Sequence, residues 1–106
     1  MRQAYVAGSY SHETKDGILA NIRAAIDGAA KVHEAGYAPI IPHTMFHHRD
    51  TDWETAMVRC RDLIRSLDPK RDVVVLLPGW QHSRGAMEEF LIALFLGIKV
   101  LDLDDV

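Results

Sequence analysis

Short apolar runs alternate with amphipathic stretches along the first half of the chain, and each predicts one structural element. Residues 4–7 form an apolar run that stops at Gly8, as a buried strand followed by a turn does. Over residues 15–35, apolar side chains recur every three or four positions, which predicts a helix. Gly36 is placed to end that helix, because glycine adopts the left-handed conformation of a carboxyl-terminal cap without steric conflict. A second strand is predicted over residues 37–41.

A polar segment separates this strand from the next predicted helix. Residues 43–49 are polar and rich in histidine, which predicts a loop. Thr51 and Glu54 have the spacing of a capping box, so a helix is expected to begin there and to end before Asp68-Pro69. The apolar stripe of this helix consists of Trp53, Ala56, Met57, Cys60, Ile64 and Leu67.

The last third of the chain repeats the pattern of strand and helix. Residues 72–77 are apolar without polar alternation, as in a parallel strand that is covered on both faces. Ser83 is placed to cap a helix over residues 84–96, and a final strand is predicted over residues 98–103. We therefore predict one α/β domain over residues 1–106, a Rossmann/flavodoxin-like three-layer sandwich with a parallel sheet of about four to five strands and helices on both faces.

Composition and charge narrow the class of protein. Fifteen acidic residues against twelve Lys and Arg give a net charge of −3, so no basic field exists to hold polymeric nucleic acid. Cys60 is the single cysteine, which excludes an internal disulfide and a zinc site with several thiolates. Its place on the apolar stripe predicts a packed thiol. No apolar run approaches the roughly 18 residues of a membrane span, and the first residues contain no signal-peptide run. We therefore expect a cytoplasmic protein with no membrane partner.

The segments that follow the predicted strands are the candidates for binding, because ligands of such folds bind at the carboxyl ends of the strands. Gly8-Ser9-Tyr10 follows the first strand, and Ser83-Arg84-Gly85 precedes a helix. Both supply backbone N–H groups and hydroxyls, and Arg84 adds a guanidinium, which together suit a phosphate. Ordinary turn and cap chemistry is the alternative. Neither segment has the spacing of a P-loop or of GxGxxG, so no ATP or NAD cofactor is expected.

Two neighbouring carboxylates near the start of the last predicted helix differ in their expected surroundings. Glu88 has Arg84 four residues earlier, which is the spacing of a surface ion pair. Glu89 lies on a face of small and apolar residues, where a carboxylate is unfavourable unless it is hydrogen-bonded or used. Glu89 is therefore the better candidate for a catalytic group, with a partly exposed surface residue as the alternative.

Other polar clusters carry weaker signals. His43, His47 and His48 lie close to Asp50 in the sequence, so a metal-dependent enzyme is an alternative. No HExxH or facial-triad spacing is present, and we therefore predict no metal. Trp80 follows a predicted strand directly, and an exposed indole there could stack on a flat ring.

The same residues form a pattern that resembles a small phage and bacterial family, and the resemblance extends from Tyr5 to Val100. That family is similar to the nucleoside 2-deoxyribosyltransferases and to the 2′-deoxynucleoside 5′-phosphate N-hydrolases. The segments that carry the resemblance are Tyr5-Val6-Ala7-Gly8-Ser9-Tyr10-Ser11, Asn21, Gly36-Tyr37-Ala38-Pro39-Ile40-Ile41-Pro42-His43, Cys60, Asp62, Leu76-Leu77-Pro78-Gly79-Trp80, Ser83, Gly85-Ala86 and Glu89.

This resemblance implies an enzyme that cleaves an N-glycosidic bond. The spacing from Ser83 to Glu89 matches the Ser/Asp-x-Gly-x-x-x-Glu segment of the enzymes, which implies that Glu89 is the nucleophile. Tyr5 matches the tyrosine that orients the nucleophile, and Asp62 matches the aspartate near the departing base. In the hydrolases a serine at the position of Ser83 helps to bind a 5′-phosphate, whereas the transferases carry an aspartate there.

The expected substrate is therefore a nucleoside 5′-monophosphate, with deoxyribosyl transfer as the variant reaction. Its phosphate is expected at Ser83, Arg84, Gly85 and the turn of Gly8, Ser9 and Tyr10, and its base between His43 and Trp80. A non-catalytic nucleotide-binding module is the alternative, because Met87 stands where many of the enzymes have glycine.

Residues 90–96 are apolar almost all round, so we expect a homodimer or a higher homo-oligomer.

Overall fold

A parallel sheet forms the centre of the protein. The computed structural model describes residues 1–45 and 52–106, and within them the sheet has four strands in the order β2-β1-β3-β4, all parallel. The strands are β1 (Gln3–Ala7), β2 (Ala38–Ile40), β3 (Val73–Leu76) and β4 (Lys99–Asp102). The parallel sheet predicted from the apolar runs is therefore confirmed.

Helices connect the strands, and polar side chains cap the three longer ones. The helices are α1 (Lys15–Glu34), α2 (Pro42–Met45), α3 (Trp53–Arg65) and α4 (Arg84–Phe95), with 3₁₀ turns at Trp80–His82 and Leu103–Asp105. The side chains of Thr14, Asp52 and Ser83 accept hydrogen bonds from the first turns of α1, α3 and α4. The predicted cap at Ser83 is confirmed, and Gly36, with φ of 97°, follows the end of α1 as predicted.

The helices pack on both faces of the sheet, which gives the predicted three-layer α/β sandwich of the Rossmann/flavodoxin-like type. Alternate residues of each strand point to opposite faces. Tyr5 and Val74 pack with Ile64 of α3 and Ala93 of α4 on one face. The opposite face packs against α1, in two clusters that contain Ala4, Val6, Val73, Val75, Ala25, Ala29 and Val32.

The strand order determines where a ligand can enter. From β1 the chain passes to β2 on one side, and the later strands β3 and β4 lie on the other side. The connections that leave β1 and β3 therefore diverge, which opens a crevice at the carboxyl ends of these two strands. The segments predicted for binding follow these strands.

The first residues of the segment predicted as a loop after β2 differ from the expectation, and residues 46–49 of that segment lie outside the described residues. Pro42–Met45 forms a short helix, because the amide groups of Thr44 and Met45 find a carbonyl partner at Ile41. Asp52 caps α3, whereas Thr51, predicted to take part in the cap, lies outside the described residues together with His47, His48 and Asp50. No helix in the described part of the chain is long and apolar enough to cross a membrane.

Candidate active site

A cavity of about 400 Å³ lies at the carboxyl ends of β1 and β3. This volume is in the range of small-molecule sites. Its walls come from the turn after β1, the start of α2, the first half of α3 and the start of α4. Nine of the residues predicted for the site lie on or beside it. Tyr5 lies immediately behind Glu89, and the eight that line the cavity are Gly8, Ser9, Tyr10, His43, Ser83, Arg84, Gly85 and Glu89.

Glu89 lies at the buried end of this cavity. Its side chain projects from the second turn of α4 and is only 5% exposed. The hydroxyl of Tyr5, which lies on the central strand β1 and is fully buried, donates a hydrogen bond to Glu89 Oε2. The sheet and α4 therefore bring together two residues that are 84 positions apart in the chain.

Burial changes the acidity of this carboxyl group. Desolvation raises the pKa of Glu89 to about 7, and the nearby charge of Glu88 acts in the same direction. Hydrogen bonds from Tyr5 and Cys60 act against this rise, because they stabilise the carboxylate. The group therefore changes its charge near neutral pH, as suits a nucleophile or a proton-transfer group.

The two groups that hydrogen-bond to Glu89 remain protonated themselves. Burial, together with the negative charge of Glu89, raises the pKa of Tyr5 well above its ordinary value. The same two causes raise the pKa of the Cys60 thiol to about 12. Cys60 therefore serves Glu89 as a neutral hydrogen-bonding group, in addition to the packing predicted for it.

The turn after β1 forms a second wall of the cavity. A Cβ atom on Gly8 would lie 2.6 Å from Leu77 Cδ1, so only glycine allows the turn to lie this close to β3. The Nε2–H group of His43 donates to the carbonyl of Ser9 at 2.9 Å, which ties α2 to this turn. Asn21 of α1 donates to the carbonyl of Tyr10 at 3.0 Å, which fixes the same turn from another side.

His43 is a neutral, buried part of this wall. Desolvation lowers its pKa, although the carbonyl groups of Ser9 and Gly8 act against that change. Because Nε2 carries the proton that Ser9 accepts, Nδ1 has the free lone pair, and Nδ1 is buried without a hydrogen-bond partner. The ring also makes an edge contact with Tyr10, with 5.9 Å between ring centroids.

The starts of α3 and α4 form the third wall. Ser83 Oγ accepts from the amide of Ala86 at 3.2 Å, and Ser83, Arg84 and Gly85 at the start of α4 line the cavity. The guanidinium of Arg84 lies over the Trp53 ring, 4.2 Å from its centroid. A Cβ atom on Gly85 would lie 3.3 Å from Met57 Sδ, so a side chain there would crowd α3.

Two residues predicted for the site are not brought to this cavity. Asp62 lies on the exposed face of α3, with its side chain 69% exposed and paired with Arg65 at 3.8 Å. Trp80 packs its ring against Phe90, with 4.8 Å between centroids, because the 3₁₀ turn after β3 folds it onto α4 rather than toward the cavity.

The ion pair predicted between Arg84 and Glu88 at the start of α4 does not form. Glu88 pairs with Arg61 of α3 at 2.8 Å, not with Arg84, since α3 lies alongside α4. Met87 points away from the cavity and is 45% exposed, so its side chain leaves the cavity open.

Sequence reasoning missed the contribution of α3 to the cavity. Trp53, Met57 and Cys60 were interpreted only as members of an apolar stripe, and they do lie on one helix face. That face meets both the sheet and the cavity, because α3 begins beside the carboxyl ends of the strands. An indole at the first position of a helix, where a core residue is uncommon, was the available signal.

The candidate metal cluster finds no support among the described residues. No group of three or more His, Cys, Asp or Glu side chains in residues 1–45 and 52–106 could hold a metal ion. His43 already uses Nε2 to hold the Ser9 carbonyl. The remaining members of the predicted cluster, His47, His48 and Asp50, lie outside these residues.

Fold and cavity together define an α/β protein with a buried carboxylate at the carboxyl ends of its central strands. Residues 2–102 match the family described as a domain of unknown function, DUF4406, and the chain belongs to that family. Comparison with curated proteins gives no match.

Proposed function

We propose that the protein cleaves the N-glycosidic bond of a nucleoside 5′-monophosphate, with Glu89 as the nucleophile. The observation that carries this proposal is a single carboxylate at the closed end of a cavity, hydrogen-bonded by Tyr5 and with a pKa of about 7. A buried structural carboxylate is expected to be stabilised in its charged form, as Asp72 is by backbone amide groups, whereas for Glu89 burial outweighs the hydrogen bonds and raises the pKa. The resemblance to N-glycoside-cleaving enzymes supports the same residue.

In the first step, a carboxylate oxygen of Glu89 bonds to the anomeric carbon of the sugar. The bond between that carbon and the base nitrogen breaks, and its electron pair leaves with the base, which takes a proton from solvent. The product on the protein is a glycosyl ester of Glu89. Tyr5 holds the carboxylate in one orientation, which favours attack by the same oxygen in each turnover.

In the second step, water attacks the anomeric carbon of the ester. The ester bond breaks and Glu89 leaves as a carboxylate. The attacking water releases one proton to solvent and keeps the other in the new hydroxyl group of the sugar. Free sugar 5-phosphate is released. A second base in place of water would give deoxyribosyl transfer instead.

The polar groups at the rim suit the phosphate of such a substrate. Ser83, Arg84 and Gly85 supply a hydroxyl, a guanidinium and the amide groups of a helix start on one side. The turn of Ser9 and Tyr10 faces them across the cavity. The base is then expected toward His43, whose ring lines the opposite part of the cavity wall.

The test measures, by liquid chromatography, the release of free base from ribo- and deoxyribonucleoside 5′-monophosphates and from the matching nucleosides. Wild-type protein is expected to release base from at least one monophosphate. Glu89→Gln is expected to lower that rate about a thousandfold or more, because glutamine cannot form the ester.

Glu88→Gln is the matched control, since it makes the same chemical change one residue away. Its carboxylate pairs with Arg61 of the neighbouring helix α3 and does not line the cavity, so base release is expected to continue. Activity that survives in folded Glu89→Gln protein would contradict the assigned mechanism.

A non-catalytic nucleotide-binding module is the second candidate. The observation that favours it is the position of Asp62, which leaves the cavity without the acid that the related enzymes place near the departing base. This candidate predicts saturable nucleotide binding by calorimetry with no base release over a long incubation.

We also propose that the protein is a homo-oligomer that associates through α4. Met87, Leu91, Leu94 and Phe95 share the outer face of that helix, and Phe95 is 90% exposed. The stripe is uncharged, so a second copy of it is a suitable partner. Light scattering is expected to give at least a dimer mass for wild type and a monomer mass for Phe95→Glu. A monomeric wild type would contradict this proposal.

A further inference from the structure

The only cation among the described residues that line the cavity, leaving histidines aside, lies on an aromatic ring. The guanidinium carbon of Arg84 is 4.2 Å from the centroid of Trp53, which is the range of a cation–π contact. Each residue is the first of its helix, Trp53 in α3 and Arg84 in α4. The contact therefore joins two helix starts at the rim of the cavity.

Arg84 has no ion pair within residues 1–45 and 52–106. Glu88, which lies four residues after Arg84 at the spacing of a helical ion pair, instead pairs with Arg61 at 2.8 Å. The other acidic groups of the cavity wall are already engaged, because Asp52 accepts from the amide of Thr55 at 2.7 Å and Glu89 from Tyr5. The guanidinium is thus fixed in place by a ring, which leaves its N–H donors for an anion.

We propose that Trp53 is a positioning residue that holds Arg84 at the rim of the cavity for the 5′-phosphate of the substrate. This inference rests on the proposed function and assigns the preference for a phosphorylated nucleotide to a pair of side chains. Trp53 acts through Arg84 and itself makes no contact with the phosphate.

The physical basis is the flexibility of arginine. A free Arg side chain samples many rotamers, and binding an anion must restrict them. Stacking on Trp53 restricts them before the substrate arrives, so less binding energy is lost. The planar guanidinium can stack by one face and still present its N–H groups at its edges, which the ammonium group of lysine cannot do.

The experiment measures dissociation constants by calorimetry for a nucleoside 5′-monophosphate and its matching nucleoside. Glu89→Gln serves as the background for every variant, so that no turnover disturbs the titration. Arg84→Gln is expected to weaken monophosphate binding about 10- to 100-fold and to leave nucleoside binding nearly unchanged. Trp53→Leu is expected to weaken monophosphate binding about three- to tenfold, again with little effect on the nucleoside.

Two further variants test whether Trp53 acts through Arg84. The double variant Trp53→Leu/Arg84→Gln is expected to bind the monophosphate no more weakly than Arg84→Gln alone, because the ring has no guanidinium left to position. Trp53→Phe keeps an aromatic face and is expected to restore most of the affinity that Trp53→Leu loses. Thermal unfolding of each variant confirms that the compared proteins are folded.

The possible failures are distinguishable. Equal weakening of nucleoside and monophosphate by Trp53→Leu, or additive losses in the double variant, would mean that Trp53 contacts the ligand directly and would overturn this inference alone. Unchanged monophosphate binding in Trp53→Leu would also overturn it. If the Glu89→Gln protein binds neither ligand and wild type releases no base, the proposed function fails together with the inference.

Discussion

The two ends of the sheet each bury one carboxylate, and the two carboxylates behave in opposite ways. Asp72 lies at the amino end beside the start of β3, and Glu89 lies at the carboxyl end in the cavity; they are 6% and 5% exposed. Asp72 accepts hydrogen bonds from the amide groups of Gln3 at 2.9 Å and Asp68 at 2.7 Å. Glu89 is held by side chains instead.

The donors account for the difference in acidity. For Asp72, burial raises the pKa, but the amide groups of Asp68 and Gln3 and the charges of Arg71 and Arg2 outweigh it, so the pKa is lowered. For Glu89, burial outweighs the donors and raises the pKa to about 7. A carboxylate that fixes the fold is stabilised in its charged form, whereas one available for chemistry is kept only marginally charged.

The largest expected effect on stability is at Glu89. Its folded-state pKa of about 7 lies above the value of 4.5 for an unperturbed glutamate, so the unfolded state ionises first as pH rises. The charge therefore lowers the free energy of unfolding progressively between these two values and by about 3 kcal/mol above them. Glu89→Gln, which cannot ionise, is expected to be more stable than wild type at about pH 8 and little changed at about pH 4.

Denaturant unfolding of wild type and Glu89→Gln at both pH values measures this difference. Glu88→Gln is the control, because its carboxylate is partly exposed and paired with Arg61. A destabilised Glu89→Gln at the higher pH would show that the ionised carboxylate supports the fold, which would remove the contrast with Asp72.

The opposite sign is expected at Asp72. In Asp72→Asn one amide group would face the side-chain NH₂ instead of an oxygen, so a buried hydrogen bond is lost. We expect the free energy of unfolding to fall by about 2 kcal/mol near neutral pH.

The pH dependence provides the check on Asp72. Because its pKa is lowered in the folded state, its stabilisation is present above the unfolded pKa and is lost as pH falls through the folded pKa. The difference between wild type and Asp72→Asn should therefore shrink in acid. A difference that is independent of pH would assign the loss to packing rather than to the carboxylate.

The same contrast explains what the sequence could predict. Apolar runs such as residues 72–77 specify strands directly, because each is a local property of a few side chains. The fold class, the helix caps at Ser83 and Gly36 and the small, apolar helix face that carries Glu89 followed from such local patterns. The burial of Asp72 could not be predicted in this way, because its partner Gln3 lies on a strand 69 residues away and its partner Asp68 lies in the turn before β3.

The other misplacements have the same origin in long-range packing. Trp80 follows β3 as expected, but its direction depends on Phe90, which no local pattern connects to it. The contact of Trp53 with Arg84 joins two different helices, so no local pattern predicts it either. Asp62 was assigned through resemblance alone, and it lies on the exposed face of α3.

A smaller effect is expected when Glu89 loses its hydroxyl donor. Tyr5→Phe removes a hydrogen bond that stabilises the carboxylate, so the pKa of Glu89 should rise further. If base release needs the ionised form, the pH–rate profile should move to higher pH, and the rate near neutral pH should fall about tenfold. An unchanged profile with a lower plateau would mean that Tyr5 orients Glu89 without affecting its charge.

The smallest expected effect comes from the thiol beside the same carboxylate. Cys60 also lowers the pKa of Glu89 by hydrogen bonding. Cys60→Ala and Cys60→Ser are similar in size, so a comparison of the two isolates the hydrogen-bond donor from the change in packing. We expect a lower pKa for Glu89 in the serine variant than in the alanine variant, and rates near neutral pH that differ less than about threefold.

NMR titration of carboxyl-labelled glutamate measures this difference without any need for turnover, with Glu89→Gln identifying the signal. The serine hydroxyl is a stronger donor than a thiol, so the order should be serine lowest, wild type next and alanine highest. If serine and alanine give the same value, the thiol acts on Glu89 only by excluding water. Tyr5 would then be the side chain whose hydrogen bond keeps the pKa of Glu89 near neutral pH, whereas backbone amide groups lower the pKa of Asp72.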